Sequence, residues 1–272
     1  MGAILVRRLL GALPILLIVS LITFGMIHLI PGDPAAAIAG MSATPEQIAN
    51  IRRDLGLNEP LPAQLFHWYV NLLHGDLGRS LLLGQPVMQA TMQRLPVTLA
   101  LSAYALVLTL LFGLASGIVA ALRQNTWVDQ AAMVLAMLGI SVPSFYLGLL
   151  LIIVFAVDLR WLPTGGYIAL TDDPVGWLAT STMPAISLAL LLAGLLARIT
   201  RSTMLEVLRQ DYIRTARAKG LANRTVVMKH ALANALIPIV TVVGIIVSLL
   251  ISGSVVVETL ISIPGIGQLL TQ

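Results

Sequence analysis

The chain has 272 residues, of which 58% are hydrophobic and 10% charged, with a formal net charge of +4 and a mean hydropathy of +0.94. A soluble domain of this size could not hide so much apolar surface, so the class is polytopic membrane protein. Cysteine is absent, which excludes disulfides, thiolate metal sites and a cysteine nucleophile.

In chain order, Arg7 and Arg8 precede an apolar run from Leu9 to Ile30. Ala37-Ile38-Ala39 looks like a signal-peptidase site, but a helix over 9–30 extends about 33 Å, too long for a signal core and right for a span. Charged residues are also missing from 95–122, 130–157, 174–197 and 231–257. Each stretch supplies the roughly 20 apolar residues a membrane helix needs. The pattern predicts an all-α polytopic fold with five transmembrane helices, at about 9–30, 96–122, 130–157, 178–198 and 231–257.

Between the first two spans, Thr44-Pro45-Glu46-Gln47 reads as a capping-box start and Gly56 as a stop. Leu61, Leu65, Trp68 and Leu72 then share one helical face before Gly75. Two short amphipathic helices are expected over 31–95, either as a lid on the bundle or as a surface for an outer partner. Small residues recur at Gly113/Gly117 and at Gly244/Ser248/Ser252. They permit close helix approach, within the chain or to a second subunit. Pro143, Pro184 and Pro238 are expected to interrupt helices. Pro238 frees the carbonyl of Asn234 and kinks the start of the fifth span, as a hinge or as static packing.

The positive-inside rule orients the bundle. Arg198 to Lys229 holds eight of the sixteen basic residues against two acidic ones, Glu206 and Asp211. The alternate loops are neutral or acidic: 30–94 has four basic and five acidic residues, and 158–177 has one and three. The N-terminus and the 199–230 loop are therefore expected in the cytoplasm, and the 31–95 region outside. With aromatic content at 5%, the same clustering argues for a membrane-facing loop rather than nucleic-acid binding.

Several chemistries are missing. Lys219 and Lys229 are the only lysines and neither follows a Gly-x4-Gly pattern, so no Walker A phosphate cradle exists. Apart from Arg198 at the very end of the fourth, the five predicted spans hold no Asp, Glu, Lys or Arg, whereas ion-coupled transporters use such groups as relays. His28 reads as an interfacial histidine, and the four histidines show no ligand spacing. No catalytic, cofactor or metal site is expected; if the chain moves a solute, the energy enters from outside it.

The place for that energy to enter is the charged stretch Asp211-Tyr212-Ile213-Arg214-Thr215-Ala216-Arg217-Ala218-Lys219-Gly220-Leu221. Asp211 is expected to N-cap a short helix, Gly220 to end it, and Asn223 to cap a second helix leading into the fifth span. Ala216 and Gly220 leave one side bare for a partner's backbone, with Arg214, Arg217, Lys219 and Arg224 around the gap. A loop that merely binds membrane lipid phosphates is the plainer alternative; the small residues and the caps favour a docking helix.

The stretch from Asp211 to Pro238 resembles the cytoplasmic coupling motif of ABC importer permeases. That motif, Glu-Ala-Ala-x3-Gly followed by Ile-x-Leu-Pro, falls here on Arg214-Thr215-Ala216-x3-Gly220 and Ala235-Leu236-Ile237-Pro238. Arg214 and Thr215 replace its Glu and first Ala, which is similar to the dipeptide/oligopeptide/nickel branch. His28 to Pro34, Leu55 to Pro60, Gly75 to Ser80, Trp161 to Gly165 and Ile263 to Gly267 resemble the same branch, and the 31–95 region resembles the first of its two paired permeases.

The resemblance implies a type I ABC importer membrane domain in a bacterial inner membrane. Its implied partners are a second homologous permease, two ABC ATPases that carry the ATP and Mg, and an extracytoplasmic substrate-binding protein. Peptides are the implied cargo, with nickel chelates or glutathione-like solutes as alternatives. The branch continues past the equivalent of Gln272 into a sixth membrane helix, whereas five are expected here. Rival classes are an ATP-independent secondary transporter or channel, and a membrane scaffold.

Overall fold

Hydrocarbon offers no water to a peptide group, so a chain this apolar must satisfy its backbone within helices. The structure, a computed structural model describing residues 2–29, 33–39, 43–54, 56–80 and 83–271, is built that way. Among the described residues, β pairing is confined to an isolated bridge between Arg79 and Pro86. Two compact units are present, Met1–Gln89 and Ala90–Gln272.

The first unit holds α1 (Gly2–Leu29), α2 (Pro34–Ala39), α3 (Pro45–Asp54) and α4 (Leu61–Leu73). The expected capping box is present: Gln47 N donates to Thr44 Oγ1 at 3.3 Å, and Thr44 N donates to Gln47 Oε1 at 2.9 Å. Arg52 on α3 pairs with Asp33, whose carboxylate also accepts Ala35 N. The aromatic face of α4 packs on α1, with the Trp68 ring 6.2 Å from Phe24 and Tyr69 Oη 2.6 Å from Ser20 Oγ. The side chain of His28 and residues 30–32 of its motif lie outside the described residues, as does Leu55.

The second unit holds α5 (Val87–Leu122), α6 (Trp127–Ser141), α7 (Ser144–Leu151), which runs on as a π-helical turn to Asp158, and α8 (Pro174–Leu208). Next come α9 (Asp211–Ala218), α10 (Asn223–Thr225), a second π-helical turn Val226–Leu232, α11 (Ala233–Ile261) and α12 (Ile266–Thr271). Among the described residues, four helical stretches are long and apolar enough to cross a membrane: Val6–Met26, Val87–Leu122, Pro174–Leu208 and Asn223–Ile261. The bent pair Trp127–Ser141 and Ser144–Asp158 makes a fifth if it is one span.

That bend corrects the reading of 130–157 as one helix. The chain turns by 101° at Val142-Pro143. Proline has no N–H for the ladder and pushes the residue before it out of the helical region, and Val142 is extended at φ −93, ψ 121. Pro184 and Pro238, expected to interrupt in the same way, lie inside continuous helices α8 and α11. The helices also outrun the charge-free windows, so Asp129 lies in the first turn of α6 and Glu258 on the last turns of α11, both buried.

The spine of this unit is α8, the most buried of the long helices. Its neighbours approach it where side chains are absent. A Cβ on Gly113 would fall 2.9 Å from Leu196 Cβ, one on Gly117 2.6 Å from the Ala197 carbonyl, and one on Gly139 2.9 Å from the Leu190 carbonyl. On α8 itself, Gly194 lies against the Ala136 carbonyl just as closely. Gly113 and Gly117 thus join α5 to α8 within the chain. Gly244, in contrast, has nothing within 4 Å of a built Cβ, and Ser248 and Ser252 are exposed.

Gly194→Ala forces α6 off α8 and is expected to cost about 1–3 kcal/mol through overpacking. Gly244→Ala, which meets no neighbour, is expected to be neutral or slightly stabilising. Thermal unfolding of the detergent-purified chain compares the two directly.

Candidate functional site

The charged stretch forms α9, tied to α8 by the turn Arg209–Gln210 and followed by α10 and the second π turn. Ile213 and Ala216, three residues apart, are 0% and 8% exposed and join a core cluster with Met204, Val226, Val227 and Ala231. An amphipathic helix turns such a pair to the interior. The bare side expected to receive a partner at Ala216 is therefore the seat of α9 on its own bundle. The outward face carries Asp211, Tyr212, Arg214, Thr215, Arg217, Ala218, Lys219, Gly220 and Leu221, all exposed.

The caps differ by one residue from expectation at the start and agree at the end. Gln210 occupies the N-cap position at φ −70, ψ 149, because α8 closes with Gln210 N donating to the Val207 carbonyl and the chain turns there. Asp211 is instead the first helical residue. Its carboxylate is exposed, 3.7 Å from Arg214 Nη1, and still meets the positive end of the helix. Likewise Ala222, not Asn223, precedes α10.

At the other end, Gly220 N donates to the Arg217 carbonyl at 2.9 Å and Leu221 N to the Ala216 carbonyl at 3.4 Å, a Schellman closure. Gly220 sits at φ +76 with open space around a built Cβ. Any other residue there is strained by its backbone alone, by roughly 1–2 kcal/mol.

Behind α9 lies the π turn Val226–Leu232, which feeds α11. Asn234 Nδ2 donates to the His230 carbonyl at 2.7 Å, bridging the junction between the π turn and the α-helix. Pro238 follows one turn later and cannot donate to the Asn234 carbonyl. The two irregularities adjoin at the foot of α11, where single π turns commonly mark functional segments.

Beside the root of α9 is a polar cleft of about 560 Å³ lined by residues including Gln124, Arg201, Glu206, Arg209 and Gln210. Arg201 also makes the bond that sequence reading missed. It grips Asp129 with two parallel N–H···O contacts, Nε to Oδ1 at 2.5 Å and Nη2 to Oδ2 at 2.6 Å. Seventy-two positions separate the two residues. The signal available was an acid one position outside a charge-free stretch. At the opposite end of α11, Glu258 Oε2 accepts Gly267 N at 2.7 Å. No cluster of metal-ligating side chains occurs among the described residues.

The binding-protein-dependent transport system inner membrane component matches residues 113–272, and the N-terminal part of such membrane components matches residues 1–102. The chain belongs to this family.

Relatives match nearly all of this chain. A protein of Brucella suis biovar 1 (strain 1330), named as a peptide transport system permease, is 50% identical over 272 residues, covering 100% of this chain and 87% of the relative. A peptide ABC transporter permease of Sinorhizobium fredii is 43% identical, covering 99% and 86%. The glutathione transport system permease protein GsiC of Salmonella choleraesuis is 44% identical, covering 97% and 84%. As an inner-membrane component of this family, the chain is a permease of a binding-protein-dependent ABC transporter, and α9 lies wholly in the 113–272 match.

The seat of α9 can be tested without transport. Removing most of the Ile213 side chain, as in Ile213→Ala, is expected to cost about 2–5 kcal/mol of local packing. Trypsin cleavage after Arg214 and Arg217 is then expected to accelerate at least about tenfold. Thr215→Ala, on the outer face, leaves the cleavage rate unchanged.

Proposed function

We propose that this permease subunit passes di- and oligopeptides across the bacterial inner membrane, driven by ATP hydrolysed on partner subunits. It pairs with a second homologous permease to enclose the path. Two ABC ATPases, which carry ATP and Mg, bind the coupling helices of the permease pair, in this chain the outward face of α9, and an extracytoplasmic binding protein delivers cargo. The N-terminus and α9 lie on the cytoplasmic side. The chain itself is non-catalytic, and no cofactor belongs to it.

The observation that carries this reading is the two-sidedness of α9. Its apolar pair anchors it to the bundle, while Tyr212, Arg214, Arg217 and Lys219 face away. A push on that face is delivered to α8 through the turn 209–210 and to α11 through the π turn. Peptide cargo is supported by the peptide permeases of Brucella suis and Sinorhizobium fredii. Glutathione, itself a small peptide, is the second reading, on the likeness to GsiC.

Proteoliposomes holding this chain, the second permease, both ATPases and the binding protein are expected to accumulate a labelled dipeptide only with hydrolysable ATP. Gly220→Val is expected to leave ATP hydrolysis running and lower uptake about tenfold, since roughly 1–2 kcal/mol of backbone strain distorts the closure of α9. Uptake from a gradient without the ATPases would overturn the proposal, as would normal uptake by Gly220→Val together with Arg217→Glu. A glutathione arm distinguishes the two cargo readings.

A further inference from the structure

The Asp129–Arg201 pair lies outside the face proposed for the ATPases. We infer that it is the joint through which displacement of α9 reaches α6 and α7, making Asp129 and Arg201 positioning residues for the transport step. This inference rests on the coupling reading of α9.

The geometry is that of a joint. Arg201 sits two turns before the end of α8, about 10 Å along the axis from Leu208 and the turn that carries α9. Asp129 belongs to the first turn of α6. Its carboxylate takes both N–H groups of the guanidinium fork and a third donor, Asn125 N at 2.9 Å, from the tight turn between α5 and α6. One side chain therefore holds three pieces of chain together: the α5–α6 turn, the start of α6 and the α9 end of α8. The Asp129 side chain is 4% exposed and that of Arg201 26%.

A buried ion pair is a poor choice for stability alone, because desolvation offsets most of the attraction. It does supply direction. Apolar and glycine contacts resist separation but permit sliding, and the rest of the α6–α8 contact is of that kind, at Gly139 against Leu190 and Gly194 against Ala136. A bidentate Arg–carboxylate bond fixes position along the helix as well as across it. With that bond, α8 and α6 move as one body from the root of α9 to Val142, where the 101° bend into α7 begins. Without it, a push on α9 can slide α8 past α6.

The test uses the full complex in proteoliposomes, with labelled dipeptide uptake and ATP hydrolysis measured on the same vesicles. Asp129→Asn and Arg201→Met are each expected to lower uptake per ATP by about fivefold or more while hydrolysis continues. The exchange Asp129→Arg with Arg201→Asp restores most of that ratio. Arg201→Lys, which keeps the charge but loses the fork, gives an intermediate ratio and serves if the first variants fail to assemble. An unchanged ratio in Arg201→Lys and the other variants that assemble overturns the inference. So does a fall of uptake and hydrolysis in the same proportion, which marks a purely structural pair. The variants Gly220→Val and Arg217→Glu in the same vesicles separate the two claims. If they too stay coupled, the α9 reading fails. If they uncouple and Asp129→Asn does not, only the joint fails.

Discussion

The second unit depends on how closely other helices can approach α8. In hydrocarbon, the hydrophobic effect does not hold helix to helix, because lipid tails are as apolar as leucine; association rests on van der Waals fit. At Gly113, Gly117 and Gly139 the space a Cβ would need is already taken by α8, and at Gly194 by α6. Leu101, Leu192, Leu196, Met204, Ile246 and Leu250 then fill the remaining volume from α5, α8 and α11. A spine packed this tightly behaves as a solid bar.

That bar explains the construction of α9. A helix of 8 residues cannot hold its shape alone, so it borrows stability from what it packs against. Ile213 and Ala216 supply the contact, Gly220 supplies the sharp exit, and the charged residues are left free on the other side. The same small residue, Ala216, that could in principle admit a partner's backbone instead admits the chain's own π turn. The outward surface carries charged residues and Tyr212, and it rests on an apolar foundation.

How much of this was legible depends on whether the signal was local. The capping box at Thr44–Gln47 and the closure at Gly220 are contacts between residues a few positions apart, and the sequence reading found both. The break at Pro143 and the continuity at Pro238 were not separable by sequence. Both prolines lack a donor, and only the surroundings decide whether the helix survives: Val142 is extended, whereas the freed carbonyl before Pro238 lies beside a π turn already adapted to a changed ladder. The inward turn of Ala216 needed knowledge of what lay behind α9. The Asp129–Arg201 pair is spread over two helices, and its one local trace is an acid a single position outside a charge-free stretch.

Glu258 shows why counting charges misplaces the end of a membrane helix. The charge-free stretch stops at Val257, which predicts that the fifth span ends there. In the structure α11 continues to Ile261 and Glu258 is 0% exposed. Its backbone carbonyl accepts Ile263 N at 2.9 Å while its carboxylate accepts Gly267 N, so the chain after α11 folds back onto the acid from two sides. Ile266 N reaches Thr98 Oγ1 on α5 at 2.8 Å, and Arg94 reaches Gln268, which ties the returning segment to a second helix. One backbone donor on Oε2 replaces part of the water that burial removes, while Oε1 is buried with no hydrogen-bond partner among the described residues. The acid is thus less a boundary marker than the nucleus of the turn, and the glycines at 265 and 267 are the space it needs.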